Sequence, residues 1–292
     1  MTATPGSARF EFATADDPAL NYCLWQYAPP APAEDKFRSV NLLYQSFDHA
    51  GIDARAFGIV EAIRDGIGPF RTVFGVKLMD GRLGWEFYFY DYARRTREVS
   101  ITRVLEALAP LAPCAIKPLE TLPYFMFSLD LDEGLARGEH GLEVIHMYIG
   151  NPGSAVSSGI AYSITESGTR LDNFYFFFDA ATQLQDVAKK VTSSPFFDDT
   201  RLSLDLVLMP ALRNCRTICV ANKQTHDCIY FSGVDVGQLL WFLEALSYPE
   251  PIVSFVRQNR GDLDHLLFDV GFDYRMEDDG LKILKSGYYG VF

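Results

Sequence analysis

The sequence is poor in basic residues and has no long apolar runs. Its 292 residues include 26 lysines and arginines against 38 aspartates and glutamates, a net charge of −12. Nucleic-acid surfaces need clustered lysine and arginine to replace counterions, so a nucleic-acid partner is not expected. No apolar run approaches the ~20 residues that cross a bilayer, so no membrane partner is expected either.

Several enzyme signatures are also missing. The sequence has no GxGxxG, GxxxxGK[ST], HExxH or GxSxG motif, which removes the usual marks of dinucleotide binding, P-loop NTPases, zinc proteases and serine hydrolases. Its five cysteines form no CxxC pair and no cluster with histidine, so no zinc site is predicted. The odd cysteine count and the lack of a signal peptide predict a cytoplasmic protein.

Aromatic residues, in contrast, are abundant and fall in strand-like runs. They make up 14% of the chain, with 23 phenylalanines and 15 tyrosines. From about residue 70 onwards, two such runs separated by a turn recur, and MDGR and SGTR are typical hairpin turns. The five predicted hairpins are RTVFGVKL with LGWEFYFYDY, YFMFSLDLD with LEVIHMYIG, GIAYSITE with LDNFYFFFD, RTICVANK with CIYFSGV, and LLFDVGFDYRM with LKILKSGYYGVF.

Helical patterns precede and separate these hairpins. Helices are predicted over residues 36–64, 99–109, 180–192 and 236–246, with a further amphipathic stretch at 203–212. Ten strands must close into a ring or leave unpaired edges, and closure removes the edges. We therefore expect an α+β fold, a closed antiparallel ten-stranded β-barrel ringed by α-helices. It would form a single domain over 41–292, after a partly irregular segment 1–40. An α+β sandwich with helices on one face is the alternative.

Alternation along the strands sorts residues between the helices and the lumen of such a barrel. Four strands combine a wholly apolar face with a face that carries tyrosine. The tyrosine-bearing faces comprise Glu86, Tyr88 and Tyr90; Val144, His146 and Tyr148; Asn173, Tyr175 and Phe177; and Cys228, Tyr230 and Ser232. On the last strand, the same alternation places Ile283, Lys285 and Tyr289 together. We interpret these faces as the lining of a cavity; the alternative is that the tyrosines only fill a core.

The hairpin pattern, the order of the units and the last strand resemble the aromatic prenyltransferases of the ABBA type, the PT-barrel family. The cyanobactin branch, which modifies ribosomally made peptides (RiPPs), is the nearest. The similarity is one of pattern and covers about residues 70–292. It implies αββα repeats and a monomeric soluble prenyltransferase of natural product biosynthesis. Such an enzyme transfers dimethylallyl or geranyl from its diphosphate to an aromatic or peptide side-chain acceptor.

Three short stretches carry this resemblance. LKSGYYGVF is similar to the family's closing strand, in which the residues matching Lys285 and Tyr289 bind the diphosphate. His146 and Tyr148 match a basic-x-Tyr pair on the fourth strand. GRLGWEF resembles a first hairpin with an inward acid that helps to hold Mg²⁺ in some members, here Glu86. A possible Mg²⁺ cofactor is thus implied, with the prenyl diphosphate as co-substrate.

Two departures from the family pattern keep a second hypothesis open. Many members carry an arginine where this chain has Cys228, and the cyanobactin branch has a catalytic glutamate on its first strand, where TVFGVKL has no acid. The alternative is therefore a catalytically silent barrel that binds an aromatic small molecule or a peptide.

The chemistry of prenyl transfer defines a candidate site. A departing diphosphate carries about three negative charges, so cations and hydroxyl groups must converge on it. The predicted site comprises Glu86 as catalytic residue and Mg²⁺ ligand; Lys77, His146, Lys223, Lys285 and Tyr289 around the diphosphate; and Tyr88, Tyr148, Asn173, Tyr175 and Tyr230 around the prenyl group and the acceptor. Lys282 and Arg216 are further candidates. The acidic run SLDLDEGLARGE (128–139) is predicted to be solvated.

Overall fold

The strands form one antiparallel sheet that closes on itself. A computed structural model describes residues 9–52, 54–92, 97–118, 120–151, 154 and 156–292. The ten strands are β1 (Thr72–Met79), β2 (Arg82–Tyr90), β3 (Tyr124–Leu131), β4 (Ile145–Gly150), β5 (Ser157–Thr165), β6 (Gly168–Asp179), β7 (Thr217–Asn222), β8 (Asp227–Val234), β9 (Phe268–Glu277) and β10 (Gly280–Val291). Each strand pairs with its neighbours in sequence, and β1 pairs with β10. The predicted closed ten-stranded barrel is therefore confirmed, and the open sandwich is excluded.

Local sequence explains the hairpins. At the β1–β2 turn, Asp80 (φ 50°) and Gly81 (φ 75°) both adopt left-handed conformations, as expected for the two-residue turn that suits the strand twist. Closure rests on six residue pairs between β1 and β10, from Val73 opposite Val291 to Leu78 opposite Ser286.

Helices surround the barrel. The α-helices are α1 (Val40–Ala50), α2 (Ala54–Ile67), α3 (Ile101–Leu108), α4 (Glu133–Arg137), α5 (Leu184–Thr192), α6 (Asp205–Leu208), α7 (Val236–Ala245), α8 (Glu250–Gln258) and α9 (Arg260–Leu263). The helix predicted over 36–64 is in fact two, because Gly51 ends α1 with φ 62°. The structure adds α8 and the short α4 and α9 to the predictions, and the short α6 lies within the amphipathic stretch at 203–212. None of the helices in the described part of the chain is long and apolar enough to cross a bilayer.

The alternation of the strands separates two hydrophobic clusters. Trp85, Phe87 and Phe89 belong to the larger, outer cluster, which the helices cover. The Trp85 indole donates to Ser46 Oγ of α1 at 2.8 Å. Tyr88 and its inward neighbours belong to a second cluster inside the barrel. The predicted sorting of these faces is therefore confirmed, and the inner cluster defines the lumen.

One predicted face is wrong. Ile283 lies opposite Tyr274, whereas Lys285 lies opposite Asp273, because a β-bulge at Leu284 shifts the register of β10. Tyr274 and Asp273 are adjacent and point to opposite faces. Ile283 therefore lies on the outside, whereas Lys285 and Tyr289 keep their predicted inward direction.

Candidate functional site

Strand register brings the predicted polar residues to one end of the lumen. Glu86 on β2 lies opposite Asp130 on β3. Two strands away from β2, on the far side of β1, Lys285 of β10 lies opposite Asp273 of β9. Paired residues on antiparallel strands share a face, so these side chains point into the same space.

Eight charged side chains gather there. We call the following set the charged ring: Lys77, Glu86, Asp130, His146, Asp172, Lys223, Asp273 and Lys285. Glu86 bridges two lysines, with Oε1 2.9 Å from Lys77 Nζ and 3.6 Å from Lys285 Nζ. Asp273 bridges Lys223 at 2.8 Å and Lys285 at 3.7 Å. Lys285 is thus held between two carboxylates, and only 23% of its side chain is exposed.

The rest of the ring is paired in the same way. Asp130 lies 3.2 Å from Lys77 Nζ and 3.7 Å from His146 Nε2. His146 Nδ1 lies 3.4 Å from Asp172, which also accepts the hydroxyl of Ser163. Each cation that the sequence predicts for the diphosphate therefore faces at least one carboxylate. With His146 protonated, the ring itself holds four cations and four carboxylates. Arg170 at 3.2 Å from Asp172 and His226 at 3.1 Å from Asp273 are further partners of these carboxylates.

Mutual compensation keeps these buried groups ionised. Burial opposes the charge on Lys285, but the carboxylates of Glu86 and Asp273 outweigh it and raise its pKa well above the usual range. Burial likewise opposes the charge on Asp273, but Lys223 and Lys285 hold its pKa well below the usual value. The pKa of Glu86 is also lowered, because Lys77 and Lys285 overcome its desolvation. Removing one member of the ring therefore leaves an uncompensated charge on its partner.

Five tyrosines form the next level of the lumen. This tyrosine layer consists of Tyr88, Tyr148, Tyr175, Tyr230 and Tyr289. Tyr88 connects it to the ring, because its hydroxyl donates to Glu86 Oε2 at 2.5 Å. The ring centroid of Tyr88 lies 6.3 Å from that of Tyr148 and 6.0 Å from that of Tyr289. Asn173 donates to the Tyr175 hydroxyl at 3.1 Å. The rings meet one another, so the layer is packed rather than open.

Glycines on the strands make room for two of these rings. An added Cβ would lie 2.5 Å from the Tyr289 ring at Gly75, and 2.3 Å from the Tyr230 ring at Gly271. Neither glycine has a positive φ, so the close approach of the ring is the reason for the missing side chain.

The two ends of the lumen offer very different space. Beside the charged ring, a cavity of about 660 Å³ is lined by residues of β3–β6, of α4 and of the loop that follows α4. Its polar lining includes Asp130, His146, Ser163 and Arg170. This volume is typical of small-molecule sites. At the opposite end, Tyr22 lies over the tyrosine layer, and the cavity below it measures only about 20 Å³. That is room for about one water molecule.

The residues around Glu86 do not suit a resident metal ion. Both carboxylate oxygens already face donors, namely Lys77, Lys285 and the hydroxyl of Tyr88. Within the described ranges, no group of three or more histidine, cysteine, aspartate or glutamate side chains is arranged to hold a metal. Cations occupy the positions that Mg²⁺ would need. The Mg²⁺ cofactor stays a prediction, and no step below depends on it.

The structure brings most of the predicted site together. The predicted lysines, His146 and Glu86 meet in the charged ring, while Tyr289 lies in the tyrosine layer rather than in the ring. Lys282 lies beyond the charged ring, where it is half-exposed and paired with Glu277 at 3.5 Å. Arg216 lies at the opposite end, 5.0 Å from the Trp25 ring. Neither of these two further candidates belongs to the ring.

Sequence reasoning found Glu86 but missed the other three carboxylates of the ring, Asp130, Asp172 and Asp273. Asp269, Gly271 and Asp273 alternate on β9, so period-two sorting could have found Asp273. Asp130 lies in the run predicted to be solvated, and its side chain is indeed 48% exposed, yet it contacts Lys77. Asp172 could not be found by alternation, because it is the extra residue of a bulge between β5 and β6.

No protein-family model matches this sequence, and no curated protein matches it at a significant level.

We expect Gly75→Ala to destabilise the protein by about 1–3 kcal/mol, because the added methyl overlaps the packed Tyr289 ring. Gly84→Ala is the matched control on β2, since its Cβ would meet only Lys77 Cε at 3.8 Å. The free energies of unfolding from urea titration compare the two variants. Equal stability of both would show that the tyrosine layer is not tightly packed.

His146 should titrate well above an ordinary histidine. Burial lowers its pKa, but Asp130 and Asp172 outweigh burial and raise it from 6.5 to about 9. The folded-state pKa exceeds the unfolded one, so the charged ring gains stability below pH 6.5 and loses it as the pH rises through about 9. Histidine ring NMR signals give the midpoint, and His146→Gln assigns the resonance.

Asp172→Asn should move that midpoint towards 6.5, because it removes one of the two carboxylates beside the imidazole. A wild-type midpoint near 6.5 would contradict the ion pairing described for the ring.

Proposed function

We propose that this protein is a prenyltransferase that moves dimethylallyl or geranyl from its diphosphate to an aromatic or peptide side-chain acceptor. One observation carries the proposal: three strands and the β7–β8 turn bring four cations to one end of a barrel lumen whose next level is a layer of tyrosines. These cations are Lys77 of β1, His146 of β4, Lys285 of β10 and Lys223 of the turn. The resemblance to the PT-barrel family supplies the reaction class, and the closed ten-stranded barrel agrees with that resemblance.

In this proposal, the charged ring receives the diphosphate. Phosphate oxygens replace carboxylate oxygens as partners of the lysines, and charge-assisted hydrogen bonds of this kind are the strong ones. The C1–O bond of the donor breaks, and the electron pair leaves with the diphosphate. Lys285 is the central cation, because it already lies between Glu86 of β2 and Asp273 of β9 and contacts both.

The tyrosine layer and Glu86 suit the second half of the reaction, in which the prenyl cation bonds to the acceptor. Tyrosine faces stabilise an allylic cation and exclude water from it. The new bond forms between C1 and the acceptor, and Glu86, an ionised carboxylate in contact with Tyr88, takes the acceptor's proton. The cavity of about 660 Å³ beside Asp130 and His146 gives an acceptor access to this end of the lumen.

A specific observation favours a second function, a catalytically silent barrel that binds an aromatic ligand or a peptide. The cations of the ring are matched by carboxylates in equal number, so an incoming diphosphate must compete with Glu86, Asp130 and Asp273 for them. Cys228, buried beside Asp273, occupies the position at which many family members have an arginine. Without that additional charge, the ring can be a structural network.

Pyrophosphate binding separates the two functions. If the ring binds diphosphate, pyrophosphate should stabilise the folded protein, by about 2.7 kcal/mol at a hundred times its Kd. Lys285→Ala should abolish the shift, since it removes the central cation. The measurement is the Tm with and without pyrophosphate, with sulfate at equal ionic strength to account for salt.

Lys282→Ala is the matched control, because this lysine lies on the same strand, outside the ring and paired with Glu277. It should keep the full shift. If pyrophosphate does not shift the wild-type Tm while an aromatic ligand does, the second function stands and the first is wrong.

Transfer itself should depend on Glu86. With dimethylallyl or geranyl diphosphate and a panel of indoles, phenols and short peptides, Glu86→Gln should lower the transfer rate by about 10²-fold or more, because the acceptor's proton loses its base. Glu277→Gln, at the end of β9 and paired with Arg275 and Lys282 rather than with a member of the charged ring, should react like the wild type. Mass spectrometry detects the product. A wild-type protein that prenylates no acceptor with either donor would contradict the proposed activity.

A further inference from the structure

A short loop of the N-terminal segment enters the lumen at the end opposite to the charged ring. We call residues 20–26 the strap. It closes on itself, because Leu20 and Gln26 form an isolated bridge and the Asn21 amide donates to the Trp25 carbonyl at 3.1 Å. The turn of 3₁₀-helix Tyr22–Leu24 forms its tip.

The tip fills the lumen. The ring centroid of Tyr22 lies 5.8 Å from that of Tyr88, 6.1 Å from Tyr90 and 6.0 Å from Tyr289, each in an edge-on arrangement. Cys23 is buried beside it. The strap thus occupies the space in which the inner cluster would otherwise be open at this end.

Side chains, and not the sheet, hold the strap in this position. Asp269 Oδ2 accepts the Tyr22 amide at 2.7 Å, and the Tyr90 hydroxyl accepts the Cys23 amide at 3.1 Å. The Tyr92 hydroxyl donates to the Cys23 carbonyl at 2.8 Å. Barrel strands, in contrast, are connected by continuous ladders. The strap can therefore leave without breaking any strand pairing.

Two features make the inserted position unfavourable in itself. Cys23 (φ 62°) and Leu24 (φ 52°) are consecutive non-glycine residues in the left-handed region, which L-residues avoid. Asp269 is buried, and no salt-bridge partner for it is found in the described part of the chain. Burial raises its pKa to about 7, although the Tyr22 and Gly233 amides donate to it. A strained turn and an unpaired buried carboxylate are the kind of feature that marks a switching segment rather than a permanent core.

We propose that the strap is displaceable and controls access to the lumen. The Tyr22 ring covers the tyrosine layer, and the hydrogen bond from the Tyr22 amide to Asp269 holds the strap in place. When the strap is inserted, the cavity below Tyr22 measures only about 20 Å³. When the strap withdraws, the tyrosine layer and the residues around the small cavity, among them Cys219, become accessible from the second end. This inference goes beyond the proposed function and holds whether or not the protein transfers a prenyl group.

The rates at which three cysteines are chemically modified measure whether the strap leaves the lumen. Cys23 lies in the strap, Cys219 lines the cavity below it, and Cys228 lies beside Asp273 towards the charged ring. Burial raises the pKa of Cys23 to about 12, so its thiol is unreactive while the strap is inserted. We expect iodoacetamide, applied to the native full-length protein and followed by peptide mass spectrometry, to modify Cys23 and Cys219 at least ten-fold faster than Cys228.

If Cys219 reacts no faster than Cys228, the strap does not uncover the lumen and the proposal is overturned. This measurement needs no substrate, so its outcome is independent of the pyrophosphate and transfer experiments.

A variant provides a second readout. Tyr22→Ala removes the ring that covers the tyrosine layer and should increase the modification rate of Cys219 at least ten-fold relative to that of Cys228. Tyr248→Ala is the control, because Tyr248 is a buried tyrosine of the outer cluster that contacts Phe242 and Tyr288 and not the strap. It should change the two rates by the same factor. An unchanged ratio of rates in Tyr22→Ala would also overturn the proposal.

Discussion

The pairing of the first strand with the last is the constraint on which the rest of this structure depends. Antiparallel strands β1 and β10 close the sheet, so every second residue of ten strands points into one enclosed space. Gly75 and Tyr289 lie opposite each other in this pairing, and the glycine makes room for the ring. Closure therefore creates the lumen and also decides how it is filled.

Charge inside such a lumen must be compensated. An isolated lysine or carboxylate at this depth would become neutral, whereas paired groups stay ionised. This is why Glu86 and Asp273 contact the lysines that the sequence predicts for the site. Compensation also sets the terms for any anionic ligand. A diphosphate gains little from a balanced ring unless the freed carboxylates find new partners, such as the proton of an acceptor.

Much of this arrangement follows from the sequence. Turn chemistry and period-two alternation predict the ten strands and favour inward tyrosines, and the cost of unpaired edges favours the closed barrel over the sandwich. The failures have physical causes. Bulges reverse the alternation of side chains between the two faces of a strand. Strict alternation therefore places Ile283 on the wrong face and does not place Asp172 in the lumen. The sequence does not reveal the strap, because its position depends on long-range contacts such as the one between Tyr22 and Asp269. A single segment contains no local signal for contacts of this kind.

The two ends of the lumen therefore differ in how they can exchange ligands. The ring end offers charge and a cavity but is separated from the other end by a packed tyrosine layer. The far end offers aromatic surface but is closed by Tyr22. A ligand that enters at the ring must displace tyrosine rings in order to bury an apolar tail, and Tyr22 packs against two of these rings, Tyr88 and Tyr289. Movement of the strap would loosen the layer from below, so burial of a tail from the ring end and withdrawal of the strap should favour each other.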